Sequence, residues 1–184
     1  MNSYFFSKYF TQLSRLVLDV DHKNLHMAAK KIHSSNKKGG KVIIVGNGGS
    51  AGIANHATMD FTKVAGYRAV NFNESSTITC LANDYGYENW VKMAIKFYAD
   101  KNDVVILISS SGKSQNMITG AEKAKHMGLS VITVSGFLAE NPLRKLGALN
   151  LWVNSSEYNI VEMTHHVWLV AIVDYLIETK GIKE

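Results

Sequence analysis

The chain has 184 residues, 46% of them hydrophobic and 19% charged, with a formal charge of +5. That length suits one well-buried domain, and the balance is neither disordered nor fibrous. A single cysteine, Cys80, excludes an intramolecular disulfide, and its apolar setting in STITCLAND predicts a buried, inert thiol. The first residues lack the basic start and continuous apolar core of a secretion signal. No apolar run approaches the roughly 20 residues of a membrane helix, so a cytoplasmic protein without a membrane partner is expected. Lys30, Lys31, Lys37, Lys38 and Lys41 read as a solvated helix face and its exit. No aromatic residues interleave them as a stacking platform would need, and no nucleic-acid partner is expected.

Phe6, Phe10, Leu13, Val17 and Val20 recur at three- and four-residue steps and predict a first helix with one apolar face. Leu25, Ala28, Ala29 and Ile32 predict a second, stopped at Gly39 and Gly40. Both stripes need a surface to cover them, either the main body or another subunit.

From Lys41 the pattern changes to short β-rich runs, KVIIVG, RAVNF, DVVILIS, SVITVSG and LNLWV, separated by segments with helical spacing. Near-continuous Val/Ile/Leu runs alternating with helices predict an α/β, doubly wound five-stranded parallel sheet with helices on both faces. The intervening helices are expected at 50–65, 75–99 with a break at NDYG, 114–127, 141–146 starting at Pro142, and 159–179. Tyr85, Tyr87, Trp90, Trp152 and Trp168 read as packing residues. The expected organisation is a single domain over 1–184, a helical pair at 1–38 followed by an α/β body at 39–184.

In parallel sheets the loops at the carboxyl ends of the strands bind ligands. After the first run comes Gly46-Asn47-Gly48-Gly49-Ser50, where glycines let the backbone approach a ligand and a serine at the helix start sits beside unpaired amides. This suits an anion; the alternative is a tight turn with no ligand. The spacing is not G-x-G-x-x-G, and no Lys-Ser/Thr pair follows, so neither a dinucleotide nor a nucleoside triphosphate is indicated. The third run ends in Ser109-Ser110-Ser111-Gly112-Lys113-Ser114, again before a helix. Four serines exceed what capping needs and suit the oxygens of a phosphate monoester. Adjacent strands would aim both loops at one crevice.

These stretches, GNGGSA, ANDYG and ISSSGKSQN, resemble the sugar isomerase (SIS) domain and within it the phosphoheptose isomerase branch, from about Lys30 onward. The resemblance implies a flavodoxin-like strand order. It also implies that Ser50, Ser109, Ser110, Ser111 and Ser114, with the backbone of Gly48 and Gly49, bind a sugar phosphate, and that Asn47 and Asp84 meet sugar hydroxyls. Further implications are a homotetramer, or at least a dimer, with sites between subunits, zinc in some members, and interconversion of sedoheptulose 7-phosphate with a heptose 7-phosphate.

Aldose–ketose isomerisation needs a base to move a proton between two carbons, and an acid or a metal to serve the oxygens. The family carries a His and a Glu one turn apart on the first-loop helix, and a Gln and a His eight apart on the last helix. Here His56 and Asp60 stand four apart on one face, as catalytic groups or metal ligands. On the last helix Val161 and Leu169 occupy the Gln and His positions, while Glu162 matches and is a candidate base. His165, four residues from each replaced position, is a candidate relocated acid/base, and His166 points about 100° away. Two readings follow: an isomerase feeding heptose synthesis for a surface polysaccharide, or a non-catalytic sugar-phosphate sensor or assembly protein.

Overall fold

The protein is described by a computed structural model over residues 3–179. Five parallel strands, β1 (Val42–Gly46), β2 (Ala69–Val70), β3 (Val104–Ser109), β4 (Ser130–Ser135) and β5 (Leu149–Trp152), lie in the order β2-β1-β3-β4-β5. This is the doubly wound class the sequence predicts, in the flavodoxin-like order that the family resemblance implies. Successive strand residues point to opposite faces. On one face Val42, Ile44, Ile106 and Ile132 pack under helices α1 (Ser3–Leu18), α2 (His22–Lys37), α3 (Gly49–Met59) and α7 (Tyr158–Thr179). On the other, Ile43, Val45, Leu107 and Val131 pack under α4 (Ser75–Tyr85), α5 (Trp90–Tyr98) and α6 (Gln115–His126). A sheet buried on both faces explains the unbroken apolar runs.

Helix α7 is long and apolar enough to cross a membrane by length and composition, contrary to the expectation, but half of its apolar stretch is buried within the fold. Ile160, Val161, Trp168, Leu169 and Ile172 face the core, and α1, α2 and α3 pack around it. The Trp168 indole donates to the Val17 carbonyl at 2.9 Å and fixes the exit of α1.

Several local expectations give way to tertiary context. In α1, Leu16 is buried, while Phe6 and Phe10 are 61% and 60% exposed, because Tyr9 and Leu13 turn toward the core and leave Phe6 and Phe10 stacked on one another outside it. Cys80 is exposed, since α4 turns Leu81 inward. Trp90 and Trp168 are buried, but Tyr85 and Tyr87 are exposed and Trp152 is half-buried under the Arg144 guanidinium. The run RAVNF contributes only two residues of strand; beyond them the Asn73 side chain takes over the ladder, donating to the Gly46 carbonyl at 2.7 Å. The helix expected over 50–65 becomes α3 plus one wide π-helical turn, Asp60–Val64, closed by the Ala65 amide on the Asp60 carbonyl. At 141–146 only a 3₁₀ turn, Arg144–Leu146, forms; the Asn141 side chain is buried and spends its donors on Ser135, Gly136 and Leu138. Lys41, read as the end of a solvated face, is buried against two aspartates.

Candidate sugar-phosphate site

Strands β1 and β3 are hydrogen-bonded neighbours, with Gly46 opposite Ile108, yet the chain leaves them toward opposite edges of the sheet. Their carboxyl ends form the switch point at which α/β sheets bind ligands. A crevice of about 130 Å³ opens there, walled by Asn47 and Ser50 from the first loop, Ile108, Ser109, Ser110, Ser111 and Ser114 from the second, and Tyr158 and Glu162 from α7. Both serine-bearing turns meet in one cavity.

The first turn needs its glycines. Gly48 sits at φ +54°, a left-handed conformation, and a side chain on Gly49 would collide with the Glu162 carboxylate. Gly48 is the N-cap of α3, without a side-chain bond, so Ser50 lies inside the first turn and not at the cap. Its hydroxyl has no protein partner among the described residues, and the first-turn amides of a helix have none within the helix. The N-cap of α6 is Ser114, whose hydroxyl contacts Ser109 at 3.0 Å instead of capping its own helix. Ser111 receives only the Lys113 amide at 3.3 Å, and Ser110 makes a long 3.4 Å contact to Glu162. Two helix N-termini, both positive ends of their dipoles, thus face one space with hydroxyls to spare.

Asn47 and Asn116 exchange two amide bonds at 3.0 and 2.9 Å, and the Tyr87 hydroxyl reaches Asn47 Oδ1 at 3.2 Å. Asn116 lies within the ISSSGKSQN motif but shows its partner only once the start of α6 meets the loop after β1. Asp84 is exposed on α4, bonded by Asn83, and is not among the crevice walls.

The histidines are distributed differently from the sequence expectation. His165 is fully buried and outside the crevice, with Nε2 on the Ser135 carbonyl at 3.1 Å and Nδ1 without a partner. Burial pushes its pKa down to about 4, so it is neutral at ordinary pH and the Ser135 contact is a donated N–H. The face carrying Val161, His165 and Leu169 turns into the core. The next face, Glu162 and His166, packs on α3. There His56 Nδ1 meets His166 Nε2 at 2.6 Å, and His56 Nε2 meets Asp60 at 3.0 Å. Burial, and then the neighbouring His56, holds the His166 pKa below its ordinary value, partly offset by Asp60.

A SIS-domain profile matches residues 5–136. This chain belongs to the SIS-domain family. A phosphoheptose isomerase of Helicobacter pylori is 40% identical over 103 residues, an overlap of 53% of this chain and 54% of that relative, so the SIS chain spans about half its length. A phosphoheptose isomerase of Enterobacter is 30% identical over 89% of this chain and 88% of that one. Among solved structures, a phosphoheptose isomerase from Francisella tularensis superposes with a TM-score of 0.87 over 97% of this chain and all of the other, at 23% identity. That likeness is one of fold.

The family resemblance implies zinc in some members. A catalytic zinc takes three protein ligands around one point. His56 turns one nitrogen to Asp60 and the other to His166, so the three form a chain and not a cup. Val161 and Leu169 offer no donor, and among the described residues no group of three His, Cys, Asp or Glu converges. These residues do not fit the ion.

Proposed function

We propose that this SIS domain is a sugar-phosphate aldose–ketose isomerase acting on sedoheptulose 7-phosphate or a close relative, in the synthesis of heptose for surface polysaccharide, in the cytoplasm. The carrying observation is the single crevice into which both serine turns open. The phosphate monoester is held by the hydroxyls of Ser50, Ser109, Ser110, Ser111 and Ser114 and by first-turn amides of α3 and α6. The sugar runs from there toward the face on which α3 and α7 bring His56, Asp60 and His166 together.

In a 7-phosphate the reacting carbons, C1 and C2, lie at the end remote from the phosphate. Glu162 touches Ser110 and Gly49, so it stands at the phosphate end and accepts from sugar hydroxyls. His56 lies seven residues along α3 from Gly49, about 10 Å further on. Asp60, with one carboxylate oxygen on His56 Nε2, uses the other to remove the C1 proton of the ketose while the C2 oxygen gains a proton, giving an enediol. Loss of the C1 hydroxyl proton and protonation at C2 complete the aldose. His166, bonded to His56, relays protons between the ring and water. The buried His165 takes no part in this scheme.

The exposed rings of Tyr4, Phe5, Phe6 and Phe10 support self-association into a dimer or tetramer. The alternative, a non-catalytic sugar-phosphate sensor, is favoured by the apolar Val161 and Leu169 at positions where the family carries polar groups. One experiment separates the two: incubation with sedoheptulose 7-phosphate in deuterium oxide, followed by NMR. Deuterium at C2 of the product supports the isomerase; binding by calorimetry without exchange sinks it in favour of the sensor.

A further inference from the structure

We infer that Asn116 and Tyr87 are positioning residues that lock the Asn47 amide so that its spare N–H is a fixed donor to a sugar oxygen at the mouth of the phosphate crevice. The inference rests on the sugar-phosphate reading for the identity of the acceptor, but not for the geometry. Asn47 has one carbonyl oxygen and two N–H groups. The oxygen is occupied twice, by Asn116 Nδ2 at 2.9 Å and by the Tyr87 hydroxyl at 3.2 Å. One N–H is spent on Asn116 Oδ1 at 3.0 Å. The other has no protein partner among the described residues, and Asn47 is a wall of the crevice. Reciprocal bonding fixes the plane of the amide, and the phenol adds a third bond that favours the oxygen on its side.

The two supports come from different elements and are themselves held. Asn116 is 2% exposed, in the first turn of α6. Tyr87 belongs to the turn Tyr87–Asn89 between α4 and α5, after Gly86 at φ +83°. That turn is tied to α6 by the Thr119 hydroxyl, which donates to the Glu88 carbonyl at 2.5 Å and also contacts the Asn116 carbonyl. Three segments remote in sequence thus converge on one amide. A donor fixed before the ligand arrives loses no freedom on binding, and discriminates an oxygen held in the right place from one that is not. Inorganic phosphate lacks the sugar and does not use it.

The test measures three things on wild type, Asn116→Ala and Tyr87→Phe: order of the Asn47 side-chain amide by ¹⁵N relaxation, affinity for inorganic phosphate, and KM and kcat for sedoheptulose 7-phosphate. We expect Asn116→Ala to disorder the amide and raise KM about tenfold, the scale of one well-placed hydrogen bond. Phosphate affinity should stay within about twofold, since the serines are untouched. Tyr87→Phe removes one hydroxyl from an exposed side chain and folds normally; it should raise KM by about threefold and loosen the amide less. An Asn47 amide as ordered in both variants as in wild type overturns the inference, whatever the substrate. So does a parallel loss of phosphate affinity, which would mark Asn116 as mere packing. If wild type turns over no sugar phosphate, the enzymatic reading fails, while amide order and the ratio of sugar-phosphate to phosphate affinity still decide the role of Asn116.

Discussion

The two ends of strands β1 and β3 carry opposite kinds of polar cluster. At their amino ends Lys41 precedes β1 and Asp103 precedes β3, and every strong group is spent. The Lys41 ammonium pairs with Asp100 and Asp103 at 2.7 Å each, and the Lys41 and Asp100 amides bond the two Asp103 oxygens at 2.8 Å. Burial alone would lower the Lys41 pKa, yet the two carboxylates outweigh it and leave it raised. At the carboxyl ends, four to six residues further along the same strands, hydroxyls and amides are left over. A saturated cluster fastens two strands together; an unsaturated one is built for something that arrives later.

The largest test of that contrast is to unbalance the saturated end. Lys41→Met leaves the buried Asp103 charge with no cation at its side and should cost about 3–5 kcal/mol in urea unfolding. At a temperature where the variant is folded, its KM should match wild type; a changed KM at full stability would break the distinction between the two ends.

Comparable in size, but in rate, is the effect of removing the proton-moving pair. His56→Gln and Asp60→Asn should each lower kcat by about 10²–10⁴-fold and leave inorganic phosphate affinity unchanged. Retained turnover in both would move the chemistry to other residues.

His165 gives a third test, on pH. Its folded pKa of about 4 lies below the ordinary 6.5, so its contribution is fully present above pH 6.5 and is lost as pH falls toward 4. The loss should approach about 3 kcal/mol and should be abolished in His165→Leu. If the wild-type and His165→Leu stability profiles run parallel between pH 7 and 4, the ring is not held neutral by burial.

Smallest is the single-serine effect. Ser50→Ala and Ser111→Ala should each weaken phosphate binding by about 1 kcal/mol, roughly fivefold, with the melting temperature unmoved. A serine whose loss destabilises the fold without touching affinity would belong with the saturated cluster at the other end.

That the two serine-bearing loops share one crevice was largely legible in the sequence, because its polar walls sit in two contiguous loops. Gly46 to Ser50 and Ser109 to Ser114 each follow a strand and open a helix, and local spacing alone places them at the sheet's carboxyl edge. The histidines were not legible in the same way. On α7, one residue is 100° of rotation, and nothing local distinguishes the face of Val161, His165 and Leu169 from that of Glu162 and His166. The family's polar positions pointed to the former face, and packing on α3 selects the latter. Nor did Cys80 and Phe6 announce their exposure, or Lys41 its burial, since each depends on what a neighbouring element covers.

The sequence by itself determined the layered α/β class, the strand-loop-helix placement of the serines and the glycines at φ and contact positions, because hydrophobic period and turn chemistry are local properties. Only the tertiary structure decided which histidine joins His56, that Asn116 and Tyr87 meet on Asn47, and that Lys41 is buried. These depend on the packing of α3 against α7, of the start of α6 against the loop after β1, and of the start of β1 against the start of β3. Each is a contact between segments tens of residues apart, fixed by shape and by the need to satisfy buried polar groups rather than by any pattern along the chain.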